Sequence, residues 1–243
     1  MCFQISSKVN HRKVVTFEAM NTASIRIKDH NFIMYPSGVL FWEEKSMLLI
    51  SDVHLGKVSH FRKFGAAVPQ KAVQKNFDVM DEAIAYFKPE HLIFMGDLFH
   101  SALNQEWNLF EKWTKTIHAN IILVVGNHDI ISPVKYEDLK IQVVSEIQLE
   151  GFLLTHHPEK RDSFFNFCGH VHPSIKMVGL GRQSARLRCF YKSEHQLVLP
   201  AFGEFTGSYT LEPIEGCEVF ALLGDSVLPV PIKEKKRKGR YSK

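Results

Sequence analysis

Cysteine is scarce in this chain. There are four, Cys2, Cys168, Cys189 and Cys217, and no two form a C-x-x-C pair or a regular ladder. That excludes a disulfide framework and points away from a cysteine-built structural zinc site, and it reads as reduced thiols in a cytoplasmic protein. Long apolar runs are missing as well. None approaches the roughly 18 residues that a membrane span needs, so no membrane association is expected. The opening stretch MCFQISSKVNHRKVV has neither a continuous apolar core nor a small-residue cleavage site, so it is not expected to act as a secretory signal. No internal repeat is present, and no Ser, Cys or Thr nucleophile motif announces a covalent intermediate.

Charge is nearly balanced, 30 Lys and Arg against 26 Asp and Glu, but it is unevenly spread. The terminal KEKKRKGRYSK holds seven basic residues and one acidic one, so the rest of the chain sums to −2. A basic end on a near-neutral body either supplies non-specific phosphate contacts to a polyanion or is a solvated terminus. With 243 residues, 45% of them hydrophobic, the chain can bury a sizeable core. The organisation expected is an N-terminal extension over 1–24, a single domain over 25–230 and a basic tail over 231–243.

Apolar periodicity outlines the elements. Short strand-like runs, SIRIK, FIMY and VLFW, precede the buried strand MLLI at 47–50. Val73, Phe77, Met80, Ile84 and Phe87 recur at spacings of three and four, one stripe of a helix that Pro89 stops. LIFM follows at 92–95, then a second helix over about 105–118 with Trp107, Phe110, Trp113 and Ile117 on one side, then IILVV. From about residue 140 the pattern is mainly of strands: IQVV, FLLT, FFNF, ARLRCFY, QLVL and CEVFALL. Strand–helix–strand units followed by a strand-rich half imply α/β layers with two packed sheets.

Five times an apolar strand ends abruptly in metal-liking side chains: LLISDVH, LIFMGD, ILVVGNHD, FLLTHHP and FNFCGHVH. A lone Asp after a strand is usually a turn or a cap, and a lone His is usually a hydrogen-bonded core or surface group. Five in succession are different, because strand ends in a layered α/β sheet converge on one crevice. The set is Asp52, His54, Asp97, Asn127, His128, His156 or His157, His170 and His172. Carboxylates, an amide oxygen and imidazoles together suit borderline divalent ions such as Mn²⁺, Fe²⁺ or Zn²⁺. Seven ligands drawn from these eight are too many for one ion and suit two that share a carboxylate.

The ordered motifs D-x-H, G-D, G-N-H-D, a strand-terminal His and G-H-x-H over residues 52–172 resemble the calcineurin-like metallophosphoesterase superfamily. SDVHLGKVSHFRKFGAAVP, GDLFHS, CGHVHP and LPAFGEFTG further resemble the bacterial ligase-associated DNA damage response endonucleases, whose members accompany a DNA ligase. The resemblance implies a four-layer αββα sandwich with two packed mixed β-sheets. It implies Asp52, His54 and His172 on one metal and Asn127, His156 and His170 on a second, with Asp97 bridging. It implies two divalent ions, foremost Mn²⁺ with Fe²⁺, Zn²⁺ and Mg²⁺ as alternatives, and hydrolysis of phosphodiester bonds by a metal-bridging hydroxide. His128 is left as the imidazole that stabilises developing charge or protonates the leaving oxygen. Asp129 either orients His128 or caps the turn. Lys57, Arg62 and Lys63 meet substrate phosphates or form a solvated basic loop, and His100 and Ser101 line the pocket. The expected substrate is DNA, in a repair setting, with a small phosphodiester or phosphomonoester as the alternative. A non-catalytic scaffold is opposed by the complete ligand set.

Overall fold

The computed structural model describes residues 21–57, 71–100, 103–179, 183–203 and 206–232. Strands β1 (Ala23–Ile27), β2 (His30–Met34), β3 (Leu40–Trp42) and β4 (Met47–Ile50) form an antiparallel meander. From β4 the chain turns to parallel crossovers: α1 (Lys71–Phe87), β5 (His91–Met95), α2 (Gln105–Thr114), β6 (Asn120–Val124), α3 (Pro133–Glu137) and β7 (Gln142–Val144). These seven strands lie in sequence order in one mixed sheet.

The second mixed sheet contains β8 (Ile147–Leu149), β9 (Phe152–Leu154), β10 (Phe165–Cys168), β11 (Pro173–Val178), β12 (Ser184–Lys192), β13 (Gln196–Val198) and β14 (Tyr209–Thr210). Its order is β14-β11-β12-β13-β10-β9-β8, with β15 (Glu218–Leu223) and β16 (Ser226–Pro229) attached to β12.

The period of two explains the layering. Leu48, Ile50, Leu92, Phe94 and Leu123 face the helices, where they meet Phe77, Met80, Phe110 and Trp113. Their neighbours Leu49, Ile93, Met95 and Val124 face the other way, onto Phe152, Leu154, Phe165, Phe167 and Leu197 of the second sheet. This inter-sheet layer is strongly aromatic; Phe32, Trp42, Phe152 and Phe167 have ring centroids 4.8–5.5 Å apart. The outer face of the second sheet is covered by Cys168, Cys189, Cys217 and Tyr191 with Val171, Leu187, Leu211 and Ile232 packed against them. Among the described residues the helices lie on the first sheet. The three described cysteines, all in or beside the second sheet, are buried and form no disulfide.

The expected stripe of α1 is buried at Val73, Phe77 and Met80 and half-buried at Ile84 and Phe87. The helix stops before Pro89, with Lys88 in the left-handed region at φ 48°. α2 ends at Thr114, short of the expected residue 118. There the hydroxyls of Thr114 and Thr116 donate to the carbonyls of Glu111 and Trp113 and close the last turn locally. β8, β11, β14, β16 and α3 were not expected; most are too short to show a period. β1 and the Asn21–Ser226 bridge lie partly upstream of residue 25, the expected start of the domain. The rest of the N-terminal extension, Arg62, Lys63, Ser101 and the tail from 233 lie outside the described residues. Among those described, no helix is long and apolar enough to cross a membrane.

Candidate metal centre

The three parallel strands β4, β5 and β6 end in line, and β9 and β10 end opposite them across the sandwich. Asp52 and His54 follow β4, Asp97 follows β5, and Asn127 and His128 follow β6. His156 follows β9, while His170 and His172 follow β10. The strand-end loops are laced together: Asp52 N–H donates to Gly96 O at 3.2 Å and His54 N–H to Asp97 O at 2.9 Å. Gly169 N–H donates to His156 O at 3.0 Å.

The seven side chains converge as two groups. In the first, Asp52 Oδ1 lies 3.0 Å from His172 Nε2, His54 Nε2 lies 3.5 Å from His172 Nε2, and Asp97 Oδ2 lies 3.9 Å from His54 Nε2. In the second, His156 Nε2 lies 3.4 Å from Asp97 Oδ1, 3.1 Å from Asn127 Oδ1 and 3.3 Å from His170 Nδ1. Asp97 therefore turns one oxygen to each group. Donors bonded at about 2.1 Å to a common ion sit about 3.0–3.4 Å apart, so most of these spacings match edges of a coordination shell.

The tautomers support the same conclusion. His156 Nδ1 lies 3.0 Å from Met95 O and His172 Nδ1 lies 3.1 Å from Gly207 O, so these nitrogens donate their protons to carbonyls. That leaves the Nε2 lone pairs aimed inward, at other acceptors. Asp52 Oδ2 is held by Ser51 Oγ–H at 2.6 Å and by His170 N–H at 3.0 Å, while the fully buried Oδ1 has no hydrogen-bond donor. Lone pairs converging in a buried site are costly unless a cation meets them. The residues present could hold two divalent ions.

Protonation follows burial. Desolvation pushes His54 down to about 3, against the charges of Asp52 and Asp97, so its ring is neutral. Burial would raise Asp97, but hydrogen bonds from His156 and the His128 amide, with the nearby imidazoles, hold it at about 2. His156 is pulled above its ordinary 6.5 because Asp97 outweighs its desolvation. The charge of Asp97 thus favours a positive charge beside His156 Nε2, whether a proton or a cation in its place.

The backbone is strained where the ligands sit. Asp52, His54, Asp97, His170 and His172 all have positive φ, 54°, 52°, 51°, 64° and 51°. Non-glycine residues there cost on the order of 1–3 kcal/mol each, and such outliers gather at functional sites. The motif glycines have a separate reason. A Cβ on Gly96 would lie 2.3 Å from His156 Nδ1, on Gly126 2.2 Å from Asp97 Oδ1, and on Gly169 1.7 Å from Ser51 Oγ. Gly203 is likewise closed in, 2.4 Å from Val53 O, whereas Gly207 meets nothing and contributes through its carbonyl.

His157 is exposed, with its ring 4.1 Å from that of His170; it is His156 that reaches Asp97 and Asn127. His128 is half-buried beside the first group, its ring 4.5 Å from His100 and 5.7 Å from His54. Lys57 is half-buried and lies close enough for its charge to act on His54 and to be acted on by Asp97. Asp129 does not orient His128. Its carboxylate accepts from the backbone N–H groups of Asp97, Gly126 and Phe99 at 2.8, 2.9 and 3.1 Å, the turn-bracing alternative. His30, read from sequence as structural, accepts from Trp42 Nε1 at 3.1 Å. Ser51, Gly96, Gly126, Gly169 and the Met95 and Gly207 carbonyls are the parts that sequence reasoning missed. The glycines stood inside the motifs, and their position immediately before each ligand was the available signal.

The family model for calcineurin-like phosphoesterases matches residues 46–193. Among solved structures, the chain is similar to the Pseudomonas putida nuclease MPE, with 30% identity over 86% of this chain and 100% of that one and a TM-score of 0.73. It also matches Yfce, a phosphoesterase from E. coli, at 16% identity over 73% of this chain and 88% of that one, TM-score 0.38. A third match, a protein of unknown function from Aquifex aeolicus, has 20% identity over 52% and 78% and a TM-score of 0.37. Comparison with curated proteins finds no match.

Proposed function

From the premise that this chain belongs to the calcineurin-like phosphoesterase family and is a metal-dependent phosphoester hydrolase, we propose that it is a nuclease acting on the phosphodiester bonds of DNA. The observation that carries the reading is the pair of ligand groups joined by Asp97. In this reading Asp52, His54 and His172 would hold one ion, Asn127, His156 and His170 would hold the other, and Asp97 would serve both. The mixed imidazole, carboxylate and amide donors suit a borderline divalent ion, Mn²⁺ foremost, with Fe²⁺ and Zn²⁺ as alternatives. When bound, two divalent ions supply charge to neutralise the phosphoryl oxygens and lower the pKa of water.

The chain's own groups do the rest. Asp129 fixes the loop that aims Asp97, and the Met95 and Gly207 carbonyls set the ring tautomers. His128 stands beside the first ligand group and outside both, where it donates a proton to the departing oxygen or stabilises its charge. Lys57 brings a cation to the rim beside Asp97, and His100 lies against His128. DNA as the substrate is supported by the likeness to a nuclease over nearly the whole chain and by the loop motifs SDVHLGK and LPAFGEFTG. The setting in a ligase-associated repair system rests on those loop motifs.

The test is to assay Mn²⁺-loaded protein on single- and double-stranded DNA, bis-p-nitrophenyl phosphate and p-nitrophenyl phosphate. Cleavage of DNA and of the diester, with little turnover of the monoester, is expected. Hydrolysis of small esters with DNA left intact would replace the nuclease reading with that of a small-molecule phosphoesterase.

A further inference from the structure

The β11–β12 strand pair leaves the sandwich at the metal centre. β12 pairs with β13 and β15 only over Cys189–Lys192; over Ser184–Arg188 its partner is β11 alone. β11 begins one residue after His172. β10, β13 and β12 are level at Cys168, Val198 and Tyr191, so Ser184–Arg188 extends past the strand ends on the side where the ligands gather.

One face of this ribbon is basic. Phe190 points into the inter-sheet core, and the residues at even positions toward the tip, Arg188 and Arg186, share its face. Arg188 donates to the carbonyls of Ala201 and Phe202 at 2.8 and 3.1 Å, in the loop whose amides bind Ser51 O and Asp52 O at 2.9 and 3.1 Å. The face therefore looks toward the loop that holds the first metal ligand. One step farther out, Lys176 stands directly opposite Arg186 across the strands. Both are exposed, and among the described residues neither has an acidic partner. Residues 173–191 contain four basic residues and no acidic one.

Like charges directly opposite one another destabilise a strand pair, and an anion between them removes the penalty. Lys176 is four residues from His172, about 13 Å along an extended chain. One strand of B-DNA rises about 3.4 Å per phosphate, so that distance spans roughly four nucleotides. A small ester held at the metal ligands cannot reach it. We propose that the β11–β12 ribbon is a DNA-binding arm on which Lys176 and Arg186 together grip the phosphate backbone a few nucleotides from the bond that is cut. This deepens, and rests on, the nuclease reading of the neighbouring centre.

The test compares wild type with the Lys176→Gln/Arg186→Gln double variant. Binding of labelled single- and double-stranded 20-mers is followed by fluorescence anisotropy across a salt series, alongside bis-p-nitrophenyl phosphate turnover. Loss of two phosphate contacts should flatten the slope of log K against log salt by about 1.4 for single strands and 1.8 for duplex, and raise Kd on the order of tenfold or more at low salt. Diester turnover should not change. Equal affinity and slope in the two proteins, or no DNA binding by wild type, would overturn the arm. Loss of diester turnover in the variant would overturn it too, by making the pair a support of the metal centre. Wild type that binds DNA through these residues yet leaves it intact would uphold the arm and contradict the nuclease reading.

Discussion

Asp129 holds Asp97 by its backbone: the Asp129 carboxylate accepts the Asp97 N–H at 2.8 Å and the Gly126 N–H at 2.9 Å with the same oxygen. Its other oxygen takes Phe99 N–H at 3.1 Å. Asp129→Ala would leave three amides without their acceptor, at a cost on the order of 3 kcal/mol. Urea unfolding of the metal-free variant should show that loss, together with reduced metal content. Unchanged stability and metal content with activity gone would instead put Asp129 in the chemistry.

Gly169→Ala should be as damaging as loss of a ligand. Its Cβ would fall 1.7 Å from Ser51 Oγ, which donates to the Asp52 carboxylate, and 2.5 Å from Asp52 Oδ2 itself. Gly207→Ala, with nothing near the new methyl, should keep its activity. Metal analysis of both variants decides; full metal occupancy in Gly169→Ala would mean that Asp52 tolerates displacement.

How much of this was legible in the sequence depends on the range of the interaction. Leu48 to Ile50, Leu92 to Met95 and Phe152 to Leu154 reveal buried strands because their apolar character is local, and the ligands betray themselves by breaking it. The convergence of His156 on Asp97 and Asn127 became readable from five repeats of the same event. The Ser51–Asp52–Gly169 packing was not readable, since it joins residues more than a hundred positions apart that are ordinary in isolation. The role of Asp129 is open in the sequence because the G-N-H-D turn offers it the His128 ring, while two of its three amide partners, Asp97 and Phe99, lie some thirty residues away. The Lys176–Arg186 pairing needs a strand register that no local pattern supplies.

His128→Ala should keep both metals and lose on the order of 10²–10⁴ in kcat, the scale of a positioned acid–base group. Metal analysis beside steady-state kinetics checks it. A parallel loss of metal and rate would make His128 a ligand.

Metal binding should release protons, and from His156 rather than His54. His156 lies above its ordinary 6.5, so it is increasingly protonated as pH falls from 7.5 toward 6.5, and affinity should fall with it. His54, held at about 3, has no proton to give in that range. In the metal-free fold the signs also differ. His156's contribution to stability is present below 6.5 and lost as pH rises through its raised value. His54 contributes nothing above 6.5 and an increasing penalty as pH falls from there toward 3, because only the unfolded chain then takes up the proton. Calorimetric titration with Mn²⁺ in buffers of different ionisation enthalpy counts the released protons. Release of no proton at pH 6.5 would contradict the assignment.

Whether Asp97 joins two metal sites is decided by the metal stoichiometry of Asp97→Ala, measured by elemental analysis beside wild type and His54→Ala. Two ions per wild-type chain are expected, with a loss confined mainly to one site in His54→Ala and near-complete loss of both with no activity in Asp97→Ala. An Asp97→Ala protein that still carries two ions would contradict the bridging role.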